Sequence, residues 1–313
     1  MAQPVEKVIL IHGIAMRSEA KVERYAEALN AQLGEGIQLV PIYWGDLGGD
    51  DTYLHKVISR YPDKSANFGR MMQDAIARPL VRGTHQARAW IEQKRGELSR
   101  SMAREQMSRK FSRDARQRVR GYMGDKFQDV RLWLTQQSLP FIADVIVYQS
   151  HTYRPRIHAR VREVIDRELG EDAGRPGKPV KVIGHSLGGV VAFDMAVRCE
   201  DPLHIESFVT LGSQPAFFHL LDPREGVEPF EGEPVTLPAT VGNWTNISDA
   251  YDVLAFSTEE VFVLNHGHSS EDLTVRCTRS RIKGGVFLRS HLGYFDNADT
   301  GTHVRRALEE GRA

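Results

Sequence analysis

Cysteine is scarce in this chain: two residues in 313, Cys199 and Cys277, with no metal-ligand spacing around either. That leaves too few for a multiply stapled secreted domain and makes two free thiols in a reducing, cytoplasmic setting the simplest reading, with a single disulfide as the alternative. Net charge is lacking as well, since 41 basic side chains meet 41 acidic ones. Nothing global therefore points to nucleic acid or to an acidic partner. No apolar run approaches the roughly 18 residues of a membrane span. The nearest is the broken stretch Leu139 to Tyr148, so no transmembrane helix is expected. The start, Met-Ala-Gln-Pro-Val-Glu-Lys, lacks the basic patch and long apolar run of a signal peptide. Internal repeats and low-complexity tracts are missing too. His266 and His268 stand two apart with no third ligand nearby, which reads as a polar loop, and neither a metal nor another cofactor is expected.

What the chain does contain is 41% hydrophobic residues, enough to bury a full core. Val5 to Ile11 is a β-branched run suited to a strand buried on both faces of a parallel sheet, and it ends at His12-Gly13. Ser18 to Leu33 places Val22, Tyr25, Ala26, Leu29 and Leu33 at helical spacing between a Ser18 cap and Gly34. Ile37 to Trp44 reads as a second strand, giving β-α-β and an α/β architecture with a mostly parallel central sheet flanked by helices. From Leu47 to Gln137 the strand signal disappears. This segment reads as a large helical insertion, a candidate lid or cap, in a core formed by residues 1–46 and 138–313. Charge is unevenly placed around it: Arg82 to Arg131 carries a net +8, whereas Asp201 to Asp272 carries −12. Within the insertion Arg109, Arg113, Arg116 and Arg120 form a stripe, either a solvated face or a peripheral contact with anionic lipid headgroups. Met71, Met72, Trp90 and Met102 either pack a core or face an acyl chain.

The core pattern resumes with an apolar stretch at Ile142 to Tyr148, a helix over His158 to Leu169, and then Val180 to Val191. Here a short strand runs into Gly184-His185-Ser186-Leu187-Gly188-Gly189 and leaves in helix formers. A strand reverses sharply into a helix only where flanking side chains are nearly absent, and the turn lifts a serine Oγ into the open. The helix is predicted over Leu187 to Arg198, a strand over Ile205 to Leu211, and a loop over Gly212 to Pro238. Strands follow at Ala239 to Ile247, Val261 to Leu264 and Leu273 to Cys277, with a terminal helix from Gly301 to Glu310.

A serine is a poor nucleophile unless a histidine takes its proton and an acid fixes that histidine's tautomer. Downstream of Ser186, Asp249 and Asp252 are the candidate acids, just past a strand. Ser290-His291-Leu292-Gly293-Tyr294 supplies a histidine in a late loop and fits better than His266, His268 or His303. His12 and His185 read as supporting residues that orient loops.

Three motifs together carry a resemblance: Ile9-Leu10-Ile11-His12-Gly13, the Gly184-to-Gly189 turn, and Trp244-x-Asn246-x-x-Asp249-x-x-Asp252 followed by Ser290-His291-x-x-Tyr294. Over residues 5–46 and 142–310 the chain resembles the alpha/beta-hydrolase superfamily, in its lipase and esterase-like branch. The resemblance does not cover the insertion. It implies the α/β-hydrolase fold and a Ser186-His291-Asp252 triad. It places Asp252 ahead of Asp249, because the acid in such proteins opens an Asp-Pro-Val type stretch, although the proline is missing here. It also implies an oxyanion hole from the Leu187 and Ile14 amides next to Gly13. The implied activity is cleavage of carboxylic esters, small-molecule or lipid, through an acyl-enzyme. Thioesterase and acyltransferase chemistry use the same parts, and a non-catalytic protein docking through its basic insertion is the reading from another class.

Overall fold

The β-branched run after Val5 forms β1 (Glu6–Ile11), and α1 (Glu19–Leu33) carries the chain to β2 (Ile37–Ile42). These elements come from a computed structural model that describes residues 5–14, 16–48, 143–277 and 290–310. The expectations for the insertion, including its Arg stripe and its Met and Trp residues, lie outside the described residues beyond Gly48. After a helical stretch over residues 143–149 come α2 (Tyr153–Leu169), β3 (Val180–His185), α3 (Leu187–Val197), β4 (Ile205–Leu211) and α4 (Pro215–Leu221). The remaining elements are β5 (Val235–Thr236), β6 (Val241–Asp249), β7 (Phe262–Val263), β8 (Glu271–Val275) and α5 (Ala298–Glu310).

Six strands form one sheet in the order β2-β1-β3-β4-β6-β8, and every pairing in it is parallel. Side chains alternate between two cores. Ile9, Ile11 and Val182 pack with α2 and α3 on one face, while Val8, Leu10 and Ile183 pack with α1 and α5 on the other. This alternation is why β1 needs an unbroken apolar run: both of its faces are covered. On the second face, Lys181 Nζ and Ser207 Oγ donate to the Leu308 and Ala307 carbonyls, which satisfies the end of α5.

The chain runs outward from β1 to β2 and then returns to the other side of β1 as β3. The order reverses at that point, and the carboxyl ends of β1 and β3 flank the crevice where an open α/β sheet binds ligands. Ile11 pairs with Gly184, so two residues further on Gly13 comes level with Ser186.

Several local expectations need correction. The Gly212 to Pro238 segment is not all loop, because Pro215-Ala216-Phe217-Phe218-His219-Leu220-Leu221 forms α4. The helix expected from His158 starts at Tyr153, with Pro155 tolerated in its first turn. The terminal helix starts at Ala298, and Gly301 lies inside it because a Cβ there would sit 2.4 Å from Gln32 Cβ on α1. Ser18 occupies the N-cap position of α1 without a side-chain cap hydrogen bond. Cys199 and Cys277 are free thiols, the first exposed and the second buried. Among the described residues no helix is long and apolar enough to cross a membrane.

Candidate active site

Ser186 joins β3 to α3 with φ 53° and ψ −129°, a left-handed conformation that a serine adopts only at a cost of about 1–3 kcal/mol. The surrounding backbone holds it there. Ser186 N–H donates to Leu211 O (2.9 Å), and Ser186 C=O accepts both Gly189 N–H (3.0 Å) and Ser213 Oγ–H (2.6 Å). The flanking glycines are demanded by close approach. A Cβ on Gly184 would lie 2.4 Å from Gly189 Cα, and one on Gly188 would lie 2.1 Å from Ile11 O and 2.6 Å from His12 O. Gly188→Ala therefore forces α3 away from β1. We expect a loss of roughly 1–3 kcal/mol of stability, seen as a lower urea midpoint at unchanged m-value; an unmoved midpoint counts against this packing.

Gly13 lies directly against Ser186, where a Cβ would be 2.5 Å from Ser186 Cβ and 3.1 Å from its Oγ. His12 holds the turn. Its Nε2 accepts Trp44 N–H (3.1 Å), so the proton is on Nδ1, which donates to Gly13 O (2.5 Å). Burial pushes the His12 imidazole down to about 4, and the ring stacks on Trp44 with centroids 4.9 Å apart. A trans peptide is planar, so fixing Gly13 C=O toward His12 turns Ile14 N–H the other way. Leu187 N–H lies in the first turn of α3, where amides have no intrahelical acceptor and the helix dipole favours negative charge.

His291 and Asp252, 39 residues apart in the chain, come together at the site. His291 Nδ1 lies 2.8 Å from Asp252 Oδ2, and both residues are buried. A carboxylate only accepts, so Nδ1 carries the proton and Nε2 is left as the basic nitrogen. His185 positions the backbone of this segment: its Nε2–H donates to His291 O at 2.7 Å, and the two rings lie 4.8 Å apart. Burial, with His291 beside it, pushes the His185 imidazole down to about 3, so it remains neutral. The turn does not lift the hydroxyl into the open as expected: Ser186 is fully buried, and its Oγ makes no hydrogen bond among the described residues, to an imidazole or otherwise.

The two candidate acids differ in what they touch. Asp249 ends β6 and spends its carboxylate on backbone, accepting Tyr251 N–H at 2.8 Å and Cys277 N–H at 2.5 Å. It ties the end of β6 to the segment after β8. Asp252, three residues on, is the one bonded to His291. Its loop is pinned by Gln214 Nε2–H to Leu254 O (2.5 Å) and Asn246 Nδ2–H to Phe256 O (2.9 Å). Asp272 adds to this by accepting from Asn246 (2.7 Å) and from Thr258 N–H (2.9 Å). His266 and His268 face each other instead, 5.3 Å between centroids, and His303 lies within α5. Among the described residues no cluster of three metal-ligating side chains occurs.

Sequence reasoning missed Gln214, Asp272 and the role of Tyr294, whose hydroxyl lies 2.9 Å from Asp252 Oδ2. Tyr294 belongs to a noticed motif, while Gln214 and Asp272 gave no signal.

No protein-family model matches the chain, and no curated protein does. Among solved structures it is similar to the esterase domain of a Rhodothermus marinus protein. The identity is 12%, the match covers 99% of this chain and 86% of that one, and the TM-score is 0.33.

Proposed function

We propose that this chain is a serine hydrolase that cleaves carboxylic esters through an acyl-enzyme, with Ser186 as nucleophile, His291 as base and Asp252 as the acid that orients it. The observation that carries the reading is the buried Asp252–His291 pair at 2.8 Å, next to a strained Ser186 elbow at the sheet's switch point. In the first step Ser186 Oγ bonds to the ester carbonyl carbon while its proton passes to His291 Nε2. The Oγ–Nε2 hydrogen bond that this transfer needs forms as substrate binds, since Ser186 Oγ lacks a hydrogen-bond partner among the described residues. The carbonyl oxygen becomes an oxyanion and takes hydrogen bonds from Leu187 and Ile14 N–H. Collapse breaks the ester C–O bond, and His291 returns the proton to the departing alcohol. Water, deprotonated by the same imidazole, then releases the acid and restores Ser186.

Apolar side chains on neighbouring segments favour an ester with an apolar acyl or alcohol part, lipid esters included. Phe217, Leu220 and Leu221 on α4 are exposed, as are Tyr251 and Val253 beside Asp252, and Phe217 stacks on Phe256 at 4.7 Å. A fluorophosphonate probe tests the reading. The folded wild type should be labelled on Ser186 and Ser186→Ala should not; absence of labelling in folded wild type sinks the assignment.

A further inference from the structure

Tyr294 lies three residues after His291, in the turn Gly293–Asp296, and is completely buried among Val209, Leu211, Ile247 and Cys277. Its hydroxyl has one proton and two neighbours. Asp249 N–H, 2.8 Å away, can only donate, and Asp252 Oδ2, 2.9 Å away, accepts. The phenolic proton therefore points at Asp252. The same Oδ2 receives His291 Nδ1–H, and Oδ1 receives Leu254 N–H at 3.0 Å.

We propose that Tyr294 is a positioning residue for the catalytic relay, fixing the rotation of the Asp252 carboxylate so that Oδ2 stays in line with His291 Nδ1. This inference rests on the serine-hydrolase reading. His291 and Leu254 each hold one oxygen, and the Tyr294 hydroxyl as a second donor at Oδ2 stiffens the carboxylate further against rotation about Cβ–Cγ. The fold makes room for this contact. Gly212, just past the end of β4 at φ 54°, is where a Cβ would come within 2.6 Å of Asp252 Oδ2 and 2.7 Å of Tyr294 Cε2. Any other residue there would push the two groups apart. Asp249 takes part through its amide, since that N–H occupies a lone pair of the phenol and aims the proton.

The arrangement also has an electrostatic side. Burial alone would raise the Asp252 carboxyl, but the hydrogen bond and charge of His291, the Leu254 amide and the Tyr294 hydroxyl outweigh it and hold the group below its ordinary value. His185 on β3, Cys277 and Asp249 are the other titratable groups around it. Burial, followed by the Asp252 charge, pushes the Tyr294 phenol well above its ordinary value, so it keeps its proton. Removing a donor leaves more negative charge on Oδ2, which favours proton binding by the coupled Asp252–His291 pair, so the acid limb of the rate profile, which reports the pair, moves to higher pH.

The test follows phosphonylation of Ser186 by a fluorophosphonate across pH, a step in which Oγ–P forms, fluoride leaves and His291 takes the proton. Tyr294→Phe removes only the hydroxyl and keeps the ring in its core position. We expect about a tenfold slower rate, as for loss of a hydrogen bond to a charged group, with an acid limb at higher pH. In an Asp252→Asn background the same change should have no further effect, because Tyr294 acts through Asp252. A 3-fluorotyrosine at position 294, a stronger donor of the same shape, should move the limb to lower pH and covers the case of a poorly folding Phe variant. An unchanged rate and limb in folded Tyr294→Phe, or a tenfold loss added on top of Asp252→Asn, overturns the inference while the hydrolase reading stands. Wild type without label on Ser186 overturns both.

Discussion

On the proposed function, Asp252→Asn is expected to lower kcat for a short activated ester by about 10⁴-fold, while Asp249→Asn should leave kcat within about tenfold of wild type. The asymmetry follows from what each carboxylate touches. An asparagine at 252 can offer its amide N–H to His291 Nδ1, which then carries a lone pair, leaving the proton on Nε2 where it blocks acceptance from Ser186. An asparagine at 249 weakens the bonds to Tyr251 and Cys277 N–H, which hold the end of β6. Its effect should appear in the unfolding midpoint. Steady-state kinetics on the two purified variants decides the matter, and the reverse order of activities would make Asp249 the acid.

Asp194→Ala carries the largest expected loss of stability, about 3–5 kcal/mol, because it strands a buried guanidinium. Asp194 lies on α3, eight residues after Ser186, and pairs with Arg224 at 3.0 Å with both side chains almost completely buried. Its other oxygen accepts the Tyr148 hydroxyl at 2.8 Å, and that hydroxyl lies 3.0 Å from His158 Nε2. The phenol has a single proton, spent on the carboxylate, so His158 Nε2–H is the donor to it. Burial raises the Asp194 carboxyl against the opposing pull of Arg224 and Tyr148, and burial pushes the His158 imidazole down to about 3. The cluster therefore ties α3 to the 143–149 segment, to α2 and to the turn after α4. Asp222→Ala is the control. It removes the exposed partner of the same arginine at 3.1 Å and should cost no more than about 1 kcal/mol. Urea unfolding of both variants measures the contrast, and equal losses would show that burial of the Asp194–Arg224 pair is not what matters.

Legibility in the sequence followed burial. β1, β3 and β4 were readable because strands covered on both faces need continuous apolar runs, as in Lys7-Val8-Ile9-Leu10-Ile11. α4 was not, because seven residues are too few for a helical period to emerge among the prolines and acids around them. Gly301 was misread as a boundary because a glycine required for helix-helix approach looks the same as one that starts or stops a helix. β5 was missed and the strands beyond Asp249 were placed only to within a few residues, since β5 and β7 have two residues each and carry no pattern.

At the site, the sequence by itself determined the elbow. Gly184-x-Ser186-x-Gly188 is a steric requirement of a local turn, and its neighbours in the chain are the same groups that crowd it in space. It also determined which histidine to consider, through chain order. Which carboxylate faces that histidine was decided only by tertiary structure. Asp249 and Asp252 stand three residues apart on one turn, and either can present an oxygen until the pairing of β6 with β8 draws Asp249 onto Cys277 and leaves Asp252 facing His291. Tyr294 belongs with that decision, because a phenol becomes a donor to one particular carboxylate oxygen only when three segments distant in sequence are packed around it.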